Sequence, residues 1–159
     1  MDQQRAQGTG GRSFDDYYDG EGKVRAELFS AVAERIGREL VEKKSRKLKG
    51  RGEVEISPTQ LRRFFDDVKA MERYLAQFQG KDRENVFRKK LPEILMLKAK
   101  VSYARGRDTV TDVFQDFVER NMNTIKTIND FEVFCKFFEA VYGFFYYYNV
   151  QGAASQRRN

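Results

Sequence analysis

Six of the nine residues from Lys43 to Arg51 are basic, and none is acidic. The chain has 30 Lys and Arg against 24 Asp and Glu, so this run accounts for the whole net charge of +6. Such a cluster concentrates positive potential at one place, which favours binding to the backbone of a nucleic acid. The alternative is a solvated basic loop that only aids solubility. The six residues are Lys43, Lys44, Arg46, Lys47, Lys49 and Arg51.

Other residues offer little for catalysis. Histidine is absent, which removes the usual general base at neutral pH and the commonest transition-metal ligand. Asp66 and Asp67 are neighbours on a predicted helix and point about 100° apart, so they are not expected to share a metal ion. No Gly-rich segment ends in the Gly-Lys-Ser/Thr of a phosphate-binding loop. We therefore expect no enzymatic activity, no catalytic residue, no metal site and no cofactor.

The single cysteine, Cys135, cannot form an internal disulfide or a multi-cysteine zinc site. This pattern indicates a reducing compartment, and we expect a cytoplasmic protein. Residues 1–22 contain no apolar signal segment, and the aromatic run from Phe144 to Tyr148 follows charged residues too closely for a membrane span. The composition predicts one domain over residues 23–150, between disordered tails at 1–22 and 151–159.

Apolar residues recur at intervals of three and four, and sustained alternation is absent, so we predict an all-α bundle of about five helices. The first helix is expected from Val24 to Lys44, running into a cationic loop that ends at Gly50 and Gly52. The second has Ser57 as N-cap, Pro58 at its first position and Gln60 as the partner of a capping box, and Gly80 closes it.

The third helix is expected from Asp82 to Arg105, with a start or kink at Pro92. The fourth is expected after an Asp108 or Thr109 cap, fraying around Asn121 to Asn123. The last is expected to begin with Asn129 as cap and Glu132 in a capping box. It is apolar on nearly every side, so it is either central to the bundle or a contact surface for another subunit. Self-association through this aromatic helix is the expectation.

Two helices carry basic lines on their surfaces. Arg62, Lys69 and Arg73 fall on one side of the second helix, with Asp66 among them. The alternative is local ion pairing of Asp66 with Arg62 and Lys69. On the third helix an exposed side is predicted to mix aromatic and basic residues, which could stack on bases, contact phosphates or simply cover the helix. Its members are Met96, Lys100, Tyr103 and Arg107.

Three segments in order resemble the small subunit of the type III-A CRISPR-Cas effector, the Csm complex. The first is Ile56-Ser-Pro-Thr-Gln-Leu-Arg-Arg-Phe-Phe-Asp-Asp-Val-Lys69. The second is Leu91-Pro92, followed by Leu95 to Arg107, and the third is Asp130-Phe131, followed by Phe134 to Val141. Together they cover about residues 24–148.

The resemblance implies a non-catalytic helical bundle, present in several copies and stacked beside guide RNA and target RNA in antiviral defence. Its partners would be these RNAs and the other Csm subunits, with no membrane, and cleavage would belong to other subunits. It also implies RNA-facing residues, although Lys98 and Arg105 could instead cover a helix junction. The implied residues are Gln60, Arg62, Arg63, Lys69, Lys98, Lys100 and Arg105. The role of the Lys43 to Arg51 run rests on charge alone. The alternative function is a protein-protein scaffold with no nucleic-acid contact.

Overall fold

The computed structural model describes residues 16–158. Five α-helices make up most of this range, which confirms the predicted all-α bundle. They are α1 (Ala31–Glu42), α2 (Pro58–Leu75), α3 (Gly80–Gly106), α4 (Asp112–Thr124) and α5 (Ile128–Arg157). A short 3-10 helix (Ala26–Phe29) precedes α1, and two-residue strands β1 (Ser45–Arg46) and β2 (Glu53–Val54) lie between α1 and α2.

The N-terminal half of α5 forms the centre of the bundle. Its Phe134, Phe137 and Phe138 are fully buried, and the Phe117 ring of α4 lies 5.3 to 6.2 Å from all three of them. Helices α1 and α2 pack against α5, while α3 packs mainly against α4. An apolar helix is best satisfied when other helices surround it. The central placement of this half is one of the two arrangements that the sequence allowed.

Helices α1 and α5 approach each other closely at Gly37. A Cβ atom at this position would lie 2.7 Å from Phe144 Cβ and 2.8 Å from the Phe145 backbone nitrogen. Real Cβ atoms do not come so near to other heavy atoms, so only glycine fits here without movement of the helices. The seam between the two helices depends on this residue.

The structured body begins before the boundary predicted at residue 23. Tyr17 is buried, and its hydroxyl bonds to the side chain of Asn121 on α4. Tyr18 donates a 2.8 Å hydrogen bond to Asp130 on α5. These contacts dock residues 16–22 on the bundle, so the predicted tail was too long by this segment. The rest of that tail, residues 1–15, lies outside the described residues.

Several predicted helix limits differ from the structure. Ser30 leaves the helical region with φ −123° and ψ −98°, so α1 begins after it and not at Val24. Pro92 lies inside one helix, because buried residues on both sides of it, such as Phe87 and Ile94, anchor α3 to the body. Thr111 rather than Asp108 or Thr109 is the N-cap of α4.

The two remaining capping predictions had different outcomes. Ser57 Oγ accepts the Gln60 amide at 3.2 Å, which confirms the predicted N-cap of α2. At α5, however, Thr127 is the cap and Asp130 completes the capping box, so the predicted Asn129 and Glu132 pair was wrong by two residues. Both pairs have the same spacing, and the cap that forms also lets Asp130 bind Tyr18.

The last helix continues to Arg157, where the sequence predicted a tail from residue 151. Every residue from 151 to 158 is exposed. Ala153 and Ala154 are strong helix formers, so this segment extends α5 without burying a face. No helix within residues 16–158 has the length and apolar character to span a bilayer.

Candidate nucleic-acid interface

The basic run forms a β-hairpin rather than a loop that simply continues α1. In this basic hairpin, residues 45–54, Ser45 pairs with Val54 and Arg46 pairs with Glu53 in antiparallel register. Gly50 and Gly52 have φ of +81° and +107°, which is backbone that residues with a side chain rarely adopt. The two glycines therefore allow the chain to reverse at the tip.

Arg105 fastens the basic hairpin to the junction of α3 and α4. Its Nη2 donates to the Arg46 carbonyl oxygen at 2.7 Å, its Nε to Asp112 at 2.7 Å and its Nη1 to Asp108 at 3.0 Å. Ser45 Oγ accepts the Asp112 amide at 2.7 Å. With only 4% of its surface exposed, Arg105 is a structural residue. Its three guanidinium nitrogens bond inside the protein, so the structure favours the alternative expected for Arg105, a residue that covers a helix junction, over a contact with RNA.

Asp108 holds the tip of the basic hairpin. Its two carboxylate oxygens accept the backbone amides of Leu48 at 2.8 Å and Lys49 at 3.0 Å. These two backbone bonds, followed by the bond from Arg105, hold the pKa of Asp108 below its usual value. Asp108 has φ +58°, a conformation that aspartate tolerates better than most residues.

The cations of this region fall into two groups. Lys43 pairs with Glu39 at 3.4 Å, and Lys44 pairs with Glu55 at 2.8 Å, so both lie beside a carboxylate at the base of the hairpin. The others are exposed and form no ion pair within residues 16–158. These are Arg46, Lys47, Lys49 and Arg51. The hairpin therefore carries four exposed cations without an ion pair in the described part of the chain, and three of them, Lys47, Lys49 and Arg51, lie beyond its two-residue ladder.

A groove of about 380 Å³ lies between the N-terminal half of α2 and the C-terminal half of α3. Gln60 and Arg63 line this α2–α3 groove from α2, and Lys100 and Tyr103 line it from α3. Arg107, just after α3, completes the wall. Three of these five were predicted RNA-facing residues, and the structure brings them together.

The charges within the α2–α3 groove are mostly positive. Lys100 pairs with Asp67 across the two helices at 3.6 Å, with both side chains more than half exposed. Arg63 is exposed and forms no ion pair within residues 16–158. Exposed pairs of this length are weak, so Lys100 can exchange its carboxylate for a phosphate at little cost.

Tyr103 and Arg107 act as a pair at one side of the groove. Arg107 Nη1 donates a 3.0 Å hydrogen bond to the Tyr103 hydroxyl, and its guanidinium carbon lies 5.7 Å from the ring centre. The Tyr103 ring remains 66% exposed. Both residues belong to the predicted exposed side of the third helix, which the structure confirms. The spacing of Lys100, Tyr103 and Arg107 was the signal for them, although neither Tyr103 nor Arg107 was among the residues expected to face RNA.

The remaining predicted residues lie away from the groove walls. Arg62 is exposed beside Asp66 at 3.7 Å, as the ion-pair alternative expected. Lys69 pairs instead with Glu72 at 2.5 Å and Glu139 at 3.5 Å, and the hydrogen bond to Glu72 raises the pKa of Lys69. Lys98 is exposed and donates to Asn123 at 3.1 Å. Of these, Lys69 is the residue least available to a ligand.

Carboxylates in the described part of the chain do not gather into a site. No group of three or more potential metal ligands occurs among residues 16–158. Asp66 and Asp67, which were not expected to share a metal ion, each face a different cation, Arg62 and Lys100.

Comparison with known proteins identifies a family that matches this chain. A family model described as Csm2 Type III-A matches residues 23–151. Searches of curated proteins and of solved structures found no match.

Proposed function

The chain belongs to the Csm2 Type III-A family, whose members are small subunits of type III-A Csm complexes. We propose that it binds guide RNA and target RNA within such a complex. The contacts are made by the α2–α3 groove and the basic hairpin, and they are to the backbone. The subunit itself breaks no bond and serves antiviral defence by holding the RNA for catalytic subunits.

The observation that carries this proposal is the set of uncompensated cations on two adjoining surfaces. Arg63 stands in the groove without an ion pair among residues 16–158, and Lys47, Lys49 and Arg51 do the same on the hairpin. Exposed lysine and arginine side chains neutralise phosphates and release counterions, which supplies affinity without reading sequence.

Asp108 joins the two surfaces. It follows directly after Arg107, which lines the groove, and its carboxylate holds the backbone of the hairpin tip. A strand that leaves the groove past Arg107 therefore meets the cations of the hairpin next. This juxtaposition supports one continuous track for a polyanion.

The test is the salt dependence of binding to single-stranded RNA of mixed sequence. Each phosphate neutralised on a single strand contributes about −0.7 to the slope of log K against log salt. Arg63→Ala should weaken binding and make the slope less negative by about 0.7. Arg88→Ala is the matched control, since Arg88 is an exposed cation of α3 that does not line the groove. An RNA affinity below detection at 50 mM salt would refute RNA binding.

We also propose that copies of the subunit contact one another through the C-terminal half of α5. Tyr146, Tyr147 and Val150 are 63%, 55% and 49% exposed there, and apolar surface of this kind is rarely left in water. Tyr146→Lys combined with Tyr147→Lys should lower the sedimentation coefficient if the wild-type protein self-associates. An identical concentration dependence in both proteins would contradict this role.

A second candidate function is a protein scaffold with no RNA contact. The observation in its favour is that Lys43, Lys44 and Lys69 already face internal carboxylates. The scaffold predicts that a subunit with all groove and hairpin cations neutralised still enters the complex and supports full RNA occupancy. Loss of RNA from such a complex would exclude it.

A further inference from the structure

Tyr103 is an exposed aromatic ring in a groove whose charged residues are mostly cations and whose other apolar lining residues, Phe64 and Ala104, are buried. It leaves 66% of its surface in water, on a long helix that is anchored by the buried Val101 and Ala104 beside it. A ring in this position gains nothing from the protein core, and it adds an apolar face to a surface suited to phosphates. An exposed aromatic ring of this kind can serve as a stacking platform, because every nucleobase has a flat apolar face that can lie against it.

Arg107 restrains this ring before any ligand arrives. Its guanidinium donates to the hydroxyl at 3.0 Å and lies 5.7 Å from the ring centre, and it forms no ion pair within the part of the chain described. A side chain that is already held in place loses less freedom on binding, so more of the contact energy appears as affinity.

The surrounding cations set where the backbone of a strand would run. Arg63 from α2 and Lys100 from α3 line the same groove as Tyr103, so phosphates bound to them place a neighbouring base beside the ring. The volume of about 380 Å³ falls within the range of small-ligand sites. The groove has space for a nucleotide, but the Tyr103 ring is accessible only to a base that is not stacked in a helix.

We infer that Tyr103 stacks on one unpaired nucleobase of the RNA strand that the α2–α3 groove holds. This inference rests on the proposed RNA binding and deepens it, because it adds a contact to bases that does not depend on charge. The contact tolerates any base, since the ring reads no hydrogen-bond pattern.

The experiment compares Tyr103→Ala and Tyr103→Phe on two ligands. One is single-stranded RNA with a fluorescent 2-aminopurine, and the other is an abasic strand with the same number of phosphates. Tyr74→Ala is the matched control, because Tyr74 is an exposed tyrosine of α2 that does not line the groove. Tyr103 is a surface residue, so the melting temperature of each Tyr103 variant should match the wild type.

We expect Tyr103→Ala to weaken binding to the base-containing strand about ten-fold, with the slope of log K against log salt unchanged. Tyr74→Ala should bind like the wild type, and Tyr103→Phe should fall between the wild type and Tyr103→Ala, because it keeps the ring but loses the hydroxyl that Arg107 holds. All four proteins should bind the abasic strand equally. Quenching of 2-aminopurine should require an aromatic ring at position 103.

Three results overturn the inference in distinguishable ways. If wild-type binding depends on salt and on Arg63 but Tyr103→Ala has no effect, the stacking contact is absent and RNA binding stands. If Tyr103→Ala weakens binding to the base-containing and abasic strands equally, the ring contributes to affinity without contacting a base. Absence of any wild-type binding at low salt removes the proposed function and the inference together.

Discussion

Replacing Arg105 with alanine would remove the side chain that ties the basic hairpin to the helical body. Arg105 is 4% exposed, and its guanidinium makes three hydrogen bonds, two of them to carboxylates. Loss of one partner of a buried ion pair costs about 3 to 5 kcal/mol. Asp112 is 69% exposed and regains water easily, so the expected cost is about 3 kcal/mol.

This loss should be visible by calorimetry. A domain of this size loses about 2 to 4 °C of melting temperature for each kcal/mol, so Arg105→Ala should melt about 6 to 12 °C below the wild type. The melting temperature of Arg105→Lys should lie between those of Arg105→Ala and the wild type, because one ammonium group cannot reach all three acceptors. Arg62→Ala is the control, since its exposed pair with Asp66 at 3.7 Å is worth less than about 0.5 kcal/mol.

Trypsin provides a second, local measurement. The hairpin contains cleavable bonds after Lys47, Lys49 and Arg51, and release from Arg105 should speed cleavage there more than elsewhere. If Arg105→Ala melts within 2 °C of the wild type and its hairpin is cleaved no faster, the assignment of Arg105 as a structural anchor is wrong.

Three further predictions concern the interior of the bundle. Gly37→Ala should destabilise by about 1 to 2 kcal/mol through overpacking, whereas Gly143→Ala, with open space around it, should stabilise; urea denaturation of both variants checks this. Burial, and then the hydrogen bond to Asp130, raise the pKa of Tyr18 from 10.0 to about 12. The stabilisation that results is complete below pH 10 and is lost as the pH rises towards 12, so the stability advantage of the wild type over Tyr18→Phe should shrink across that range and not at lower pH. Burial also raises the pKa of the Cys135 thiol, which should react with a thiol reagent only in denaturant, and rapid reaction of the folded protein would contradict its packing.

Local signals in the sequence were sufficient for much of the fold. Ser57 and Pro58 mark the start of α2 by residue type alone, because a serine side chain accepts the orphan amides of a helix start and proline lacks one. The aromatic density of residues 131–145 likewise requires a helix with neighbours on several sides.

Pairings between distant residues could not be read in this way. Tyr17 and Asn121 are 104 residues apart, and nothing near either one indicates the other. Asp66 and Glu72 lie three residues before and after Lys69, so the spacing does not decide which of them is its partner. In the structure Lys69 pairs with Glu72 and also with Glu139 of α5. Equal spacing leaves such a choice to tertiary packing.

The candidate site shows the same division. Gln60, Arg63 and Lys100 were predicted from their helices and the resemblance, and they do line one groove. The burial of Arg105 was not predicted as its role, because its third acceptor is the carbonyl of Arg46, 59 residues earlier. The hairpin itself was missed because its ladder is two residues long, too short for alternation to register.

The attachment of the hairpin to the end of α3 has a mechanical consequence. Arg105 and Asp108 grip the hairpin from the same turn of chain that carries Tyr103 and Arg107, so the two cationic surfaces shift together or not at all. The distance between the two surfaces is therefore fixed. A polyanion that binds to both must match that distance, whichever sequence it carries.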